Sequence, residues 1–131
     1  LAILGQPVHG KPGVITHQGH GLFTGLPRQF NAGRYHSLHA DNVPDSLDII
    51  AHTDLPQPCV MAVAHKVLPW TAVQFHPESL MTLGGGAGER LIANVIGIVR
   101  IARRDAGHLG CKPWGQPHNR KTNVRGVMNV L

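Results

Sequence analysis

Two residues in the stretch "AVQFHPESL" (72–80), His76 and Glu78, are of the types that move and steer protons. A short apolar run ends on the histidine. Pro77 then removes a backbone donor and fixes φ, which stops a ladder and turns the chain. In extended backbone, residues two apart point the same way, so the imidazole and the carboxylate can share one side of the strand exit. A carboxylate beside an imidazole fixes its tautomer and stabilises its protonated form, the orienting part of a catalytic triad. Such a pair needs a nucleophile to activate. Neither cysteine suits, because an elbow nucleophile wants small residues on both sides. Cys59 lies between Pro58 and Val60, and Cys111 has Leu109 and Pro113 at the positions that should be small. On these residues alone, a turn with a surface carboxylate is the competing reading.

The elements that must position this pair follow from pattern. The opening "LAILGQPVHGKPGVITHQGHGLFTGLP" is rich in glycine and proline and reads as loop and turn, with short strands at 1–4 and 13–17. "FNAGRYHSL" (30–38) reads as a strand with a polar end. "SLDIIAHT" (46–53) and "CVMAVAH" (59–65) read as strands joined by the turn "DLPQP", and "TAVQFH" (71–76) as another. After "GGGAG" the spacing of Leu91, Ile92, Val95, Ile96 and Val99 predicts a helix over about 87–102. The rest, 103–131, has no clear period and reads as a poorly ordered tail, held at most by Trp114 and the terminal apolar residues.

Charge divides the chain at the same place. Residues 1–102 carry Lys11, Arg28, Arg34, Lys66, Arg90 and Arg100 against Asp41, Asp45, Asp48, Asp54, Glu78 and Glu89. Residues 103–131 carry Arg103, Arg104, Lys112, Arg120, Lys121 and Arg125 against Asp105 alone, so the net +5 belongs to the tail. A few charges without interleaved aromatics argue weakly for nucleic acid. No apolar run is long enough to cross a bilayer. His17/His20 and His36/His39 stand three apart in loop and strand, where that spacing does not converge, so no metal is expected. "GGGAGER" lacks the Lys-Ser/Thr of a phosphate loop. Two cysteines make no disulfide framework; Cys59 reads as a buried, inert thiol, and a reducing, cytoplasmic setting is consistent with it.

Three blocks in order, "VHGK" (8–11), "GRYHSL" (33–38) and "AVQFHPES" (72–79), resemble the class I glutamine amidotransferases. The resemblance is strongest to the branch serving chorismate, anthranilate synthase component II and aminodeoxychorismate synthase component II. The continuation "LMTLGGGAGERLIANVI" is similar to the form fused behind the synthase component. It covers about residues 1–100 and implies an α/β, flavodoxin-like fold, of which this chain would be the C-terminal half: an incomplete sheet with one clear helix. Carried over, His76 is the general base and acid and Glu78 its orienting residue. Ser37 and Leu38 hold the glutamine, largely through backbone groups. No cofactor is implied. The partners implied are glutamine and a chorismate-binding synthase component, fused or separate.

The departure from the family is the G-x-C-x-G elbow, which occurs nowhere in this sequence. Together with a start at Leu1 and no methionine before Met61, it leads to the expectation of a fragment that lacks its nucleophile and is inactive alone. The domain expectation is a partial amidotransferase domain at 1–102 and a basic tail at 103–131. Two alternatives stay open. One is a non-catalytic interaction or regulatory module on the same fold, and the other is the folate branch instead of tryptophan biosynthesis.

Overall fold

The computed structural model describes residues 1–54, 58–108 and 128–130. Strands β1 (Ala2–His17), β2 (Gln29–His39), β3 (Leu47–Thr53), β4 (Val60–His65), β5 (Thr71–Val73) and β6 (Met128–Val130) form one sheet in the order β2-β1-β3-β4-β5-β6. Every neighbouring pair is antiparallel except β5 and β6, which are parallel. A 3₁₀ turn at Gly21–Phe23, a short helix α1 (Leu80–Leu83) and the long helix α2 (Ala87–His108) are the remaining elements among the described residues.

The opening segment departs from expectation. Residues 2–17 form one 16-residue strand instead of two short ones. Its glycines and prolines are absorbed as irregularities in the β1–β2 register, between Ile3 and Val8 and between His9 and Lys11, as bulges allow. The strand expected over 71–76 ends at Val73 and returns only as an isolated antiparallel bridge between Gly33 and His76. The β3–β4 pair is antiparallel, as the expected hairpin requires; residues 55–57 of its turn lie outside the described residues.

The core forms where the apolar alternation of the strands meets one face of α2. Ile15, Leu22, Phe23, Met61, Val73, Phe75 and Leu91 are all essentially inaccessible to solvent. Aromatic rings run through it: His17 stacks on Phe23 at 4.6 Å, Phe23 lies 6.1 Å from Phe30, and Phe30 meets Phe75 edge-on at 5.7 Å. Full burial of a side chain like Phe75 contributes about 1.5–3 kcal/mol. Val73, Gln74 and Phe75 are buried in succession, and His76, next in the chain, is the first of the run to reach solvent, its side chain 29% exposed.

Helix α2 starts after Gly85 and Gly86, both at positive φ, a conformation that costs glycine nothing. It runs on past the expected end near 102 to His108. Leu91 is buried and Val95 packs on the core, but Ile92 and Ile96, expected on the same face, are 42% and 47% exposed. Asn94 Nδ2 donates to the carbonyls of Leu22 and Thr24 at 2.8 and 2.9 Å, pinning the helix to the 3₁₀ turn. Met128–Val130 pair with Thr71–Val73, while Trp114 lies outside the described residues. No helix among the described residues is long and apolar enough to cross a membrane.

Candidate active site

His76 leaves the core two residues after Gln74 and is held by its own backbone. Its N–H donates to the Gly33 carbonyl at 3.0 Å. Its carbonyl accepts from the Thr82 hydroxyl at 2.6 Å and from the Ser79 N–H at 3.2 Å. Thr82 Oγ1 also accepts from the Gly33 N–H at 2.9 Å, so one fully buried hydroxyl joins β2 to the His76 turn. Ser79 caps α1 by accepting from the Met81 N–H at 3.3 Å, the usual work of serine at a helix start.

The side chains meet as the spacing predicted. His76 Nδ1 and Glu78 Oε1 are 2.7 Å apart, a charge-assisted length when the imidazole is protonated. The ring of Tyr35 stands edge-on to the His76 ring at 5.1 Å. The hydrogen bond from His76, followed by one from Glu78's own backbone, holds the Glu78 carboxyl below its ordinary value. That carboxylate is therefore ionised wherever an imidazole titrates, and it can only accept. Nδ1 then carries the proton that Glu78 takes up as a hydrogen bond. Nε2 is left as the free basic nitrogen, with no hydrogen bond among the described residues. The imidazole is 29% exposed and the carboxylate 65%, so the pair is open to an incoming group.

Gly33 is required by close approach. A Cβ there would overlap Ser79 Oγ and stand 2.8 Å from Ser79 Cβ and 3.3 Å from the Tyr35 ring. Ser37 and Leu38 lie further along β2, both exposed. Among the described residues neither side chain hydrogen-bonds to His76 or Glu78. Gly33, Ser79 and Thr82 escaped the sequence reading. Gly33 opens the quoted "GRYHSL" block, whereas Thr82 carried no signal, because its role depends on two backbone groups meeting in space.

Several other chemistry-bearing side chains among the described residues are otherwise engaged. His17 Nε2 bonds the Pro27 carbonyl at 2.9 Å, and its Nδ1 accepts from Gly19 N–H. His20 Nδ1 accepts from Leu22 N–H at 3.1 Å. Among the described residues no group of three or more His, Cys, Asp or Glu converges on a metal site. Cys59 is buried and burial pushes its thiol up from its ordinary value, which suppresses the thiolate a nucleophile needs. A cavity of about 190 Å³ along β4 is lined by Val43, Leu47, Met61 and Val63, with Asn42 and Gln74 its polar residues. It offers no acid or base.

The glutamine amidotransferase class-I family matches residues 4–95. The chain belongs to the class I glutamine amidotransferases. Anthranilate synthases and aminodeoxychorismate synthases are among its relatives, at 42–49% identity. An anthranilate synthase of Azospirillum brasilense is 49% identical over 98 residues, covering 73% of this chain and 13% of that protein. An anthranilate synthase component 2 of Haloferax volcanii is 46% identical over 92 residues, covering 70% and 44%. An aminodeoxychorismate synthase of Streptomyces pristinaespiralis is 42% identical over 103 residues, covering 79% and 13%. Among solved structures, a Thermoplasma acidophilum protein named as part of a GMP synthase superposes with a TM-score of 0.71. Its identity is 27%, over 81% of this chain and 51% of that one. The chain thus spans less than half the length of these curated relatives and about half of the solved one.

Proposed function

We propose that this chain carries the histidine and carboxylate of a glutamine amidotransferase that supplies ammonia to a chorismate-using synthase of the anthranilate type. The observation that carries the reading is the 2.7 Å contact of His76 Nδ1 with Glu78 Oε1, which leaves Nε2 without a hydrogen bond among the described residues on a partly exposed ring. A thiolate from a polypeptide bearing the elbow attacks the side-chain amide carbon of glutamine. His76, protonated at Nε2, gives that proton to the departing nitrogen, and ammonia leaves as the thioester forms. His76 then takes a proton from water, which attacks the thioester and releases glutamate and the thiol. Glu78 keeps the ring oriented throughout, and the backbone of Ser37 and Leu38 holds the glutamine. The ammonia aminates chorismate on the synthase component. Tryptophan biosynthesis is favoured over the folate branch by identities of 49% and 46% to two anthranilate synthases against 42% to an aminodeoxychorismate synthase, while one further anthranilate synthase component 2 also stands at 42%.

The absence of a suitable nucleophile from the sequence makes the partner polypeptide part of the reading. The chain alone should release no glutamate from glutamine, and adding the elbow-bearing half of a component 2 relative should start the reaction. A rival module reading predicts that no such addition produces activity. It predicts instead that deletion of 103–131 removes binding to a partner.

A further inference from the structure

Behind the 37–38 backbone lies a buried pair with no part in the proton chemistry above. Arg34 is 4% exposed and His36 5%. Arg34 Nε donates to His36 Nε2 at 3.1 Å, and His36 Nδ1 lies 2.8 Å from the Leu38 carbonyl oxygen. A guanidinium cannot accept, so His36 Nε2 must be bare, and the ring proton sits on Nδ1 and is donated to Leu38. The arginine thereby dictates the tautomer and the tautomer holds a backbone carbonyl.

The place where this happens is a break in the ladder. Ile3 faces Leu38 and Val8 faces His36, so residues 4–7 of β1 stand opposite Ser37 alone. The side-chain hydrogen bond restrains β2 where regular pairing with β1 fails. The molecule accommodates it at some cost: a buried cation without a carboxylate is expensive, and among the described residues no carboxylate pairs with Arg34. Gly13 leaves the space for it, since a Cβ there would come 2.6 Å from Arg34 Cδ.

We propose that Arg34 and His36 are positioning residues that set the Ser37–Leu38 backbone to receive glutamine. The inference rests on the reading of that backbone given under the proposed function. Burial, and then the charges of Arg34, His39 and His76, push the His36 imidazole below its ordinary value, against the opposing pull of the Leu38 carbonyl. Arg34, itself near Cys59, donates to the bare Nε2 and so faces a neutral ring in this arrangement. Acid that protonates Nε2 removes the acceptor and sets two cations against each other.

The test uses the full chain completed with the elbow-bearing half. Arg34→Met should raise KM for glutamine about tenfold or more while moving kcat far less, the pattern of lost substrate binding. Asparagine at 36 places an amide donor near the Nδ1 position, whereas glutamine places its amide near Nε2. His36→Asn should therefore keep most of the affinity that His36→Gln loses. Equal effects of the two, or parallel falls in kcat and folded fraction, would overturn the proposal as a packing effect. If Arg34→Met does not fold, the Asn–Gln comparison decides alone. Side-chain ¹⁵N NMR on the chain without its complement separates this from the function itself. It should show His36 protonated at Nδ1, and Arg34→Met should shift the Leu38 carbonyl carbon. An unshifted carbonyl overturns the relay whether or not the completed protein hydrolyses glutamine. An intact relay in a completed protein with no activity defeats the proposed function and, with it, the link to glutamine.

Discussion

Gly33 and His76 are joined twice, once by the His76 N–H on the Gly33 carbonyl at 3.0 Å and once through the Thr82 hydroxyl. The second link makes a buried threonine the clamp between the strand that bears "RYHSL" and the turn that bears the histidine. Replacing it by the isosteric valine leaves the Gly33 N–H without its partner. Thr82→Val should destabilise the chain by about 1–3 kcal/mol, and Thr82→Ser, which keeps the hydroxyl, by less. Chemical denaturation of the two variants side by side checks this; a Thr82→Val variant as stable as the wild type, or harmed less than Thr82→Ser, would mean that the hydroxyl does not matter.

Gly33→Ala puts a methyl group against Ser79 and the Tyr35 ring. Overpacking of this kind costs about 1–3 kcal/mol. The variant should also move the Tyr35 ring away from His76. A lowered melting temperature together with changed aromatic shifts at Tyr35 is the expected outcome, whereas wild-type values for both would show that the approach is loose.

Glu78 gives a pH prediction with a definite sign. Its carboxyl titrates below the ordinary value in the folded chain, chiefly because His76 bonds to it. The pairing is therefore fully present above the carboxyl's unfolded titration and is lost as pH falls through the depressed one. The side chain is largely exposed, so its effect on stability is small and the titration itself is the quantity to measure. Carbon-13 NMR should place the Glu78 midpoint below that of an exposed glutamate, and His76→Ala should raise it. A midpoint that ignores His76→Ala would break the pair.

The α2 helix carries Ile92 and Ile96 one turn apart and both exposed. Exposed apolar patches favour association. Sedimentation velocity on the chain alone should show concentration-dependent oligomers, diminished in an Ile92→Lys, Ile96→Lys double variant. A monomer boundary indifferent to concentration would contradict this.

How much of this was legible in sequence depended on how local each cause was. His76 and Glu78 were readable because two-residue spacing and an intervening proline suffice to bring them together. The hairpin at β3–β4 and the α2 core contact through Leu91 followed from period alone. The single long β1 was not readable, because its glycines and prolines look like turns, yet the strand absorbs them as register shifts against β2. Ile92 and Ile96 had the helical period but no described partner, so periodicity overstated their burial. Thr82 depends on groups brought together by the fold, which no local pattern encodes, whereas Arg34 and His36 share the two-residue spacing and only their burial was not legible.

The central claim is that Nε2 of His76 does the proton transfer once a thiolate is supplied. The most direct measurement is glutamate release from glutamine by the full chain mixed with an elbow-bearing half, wild type against His76→Ala. General acid–base catalysis contributes on the order of 10²–10⁴-fold, so the variant should fall by at least about the lower of these while still binding the other half. A His76→Ala protein that hydrolyses glutamine at the wild-type rate would contradict the account.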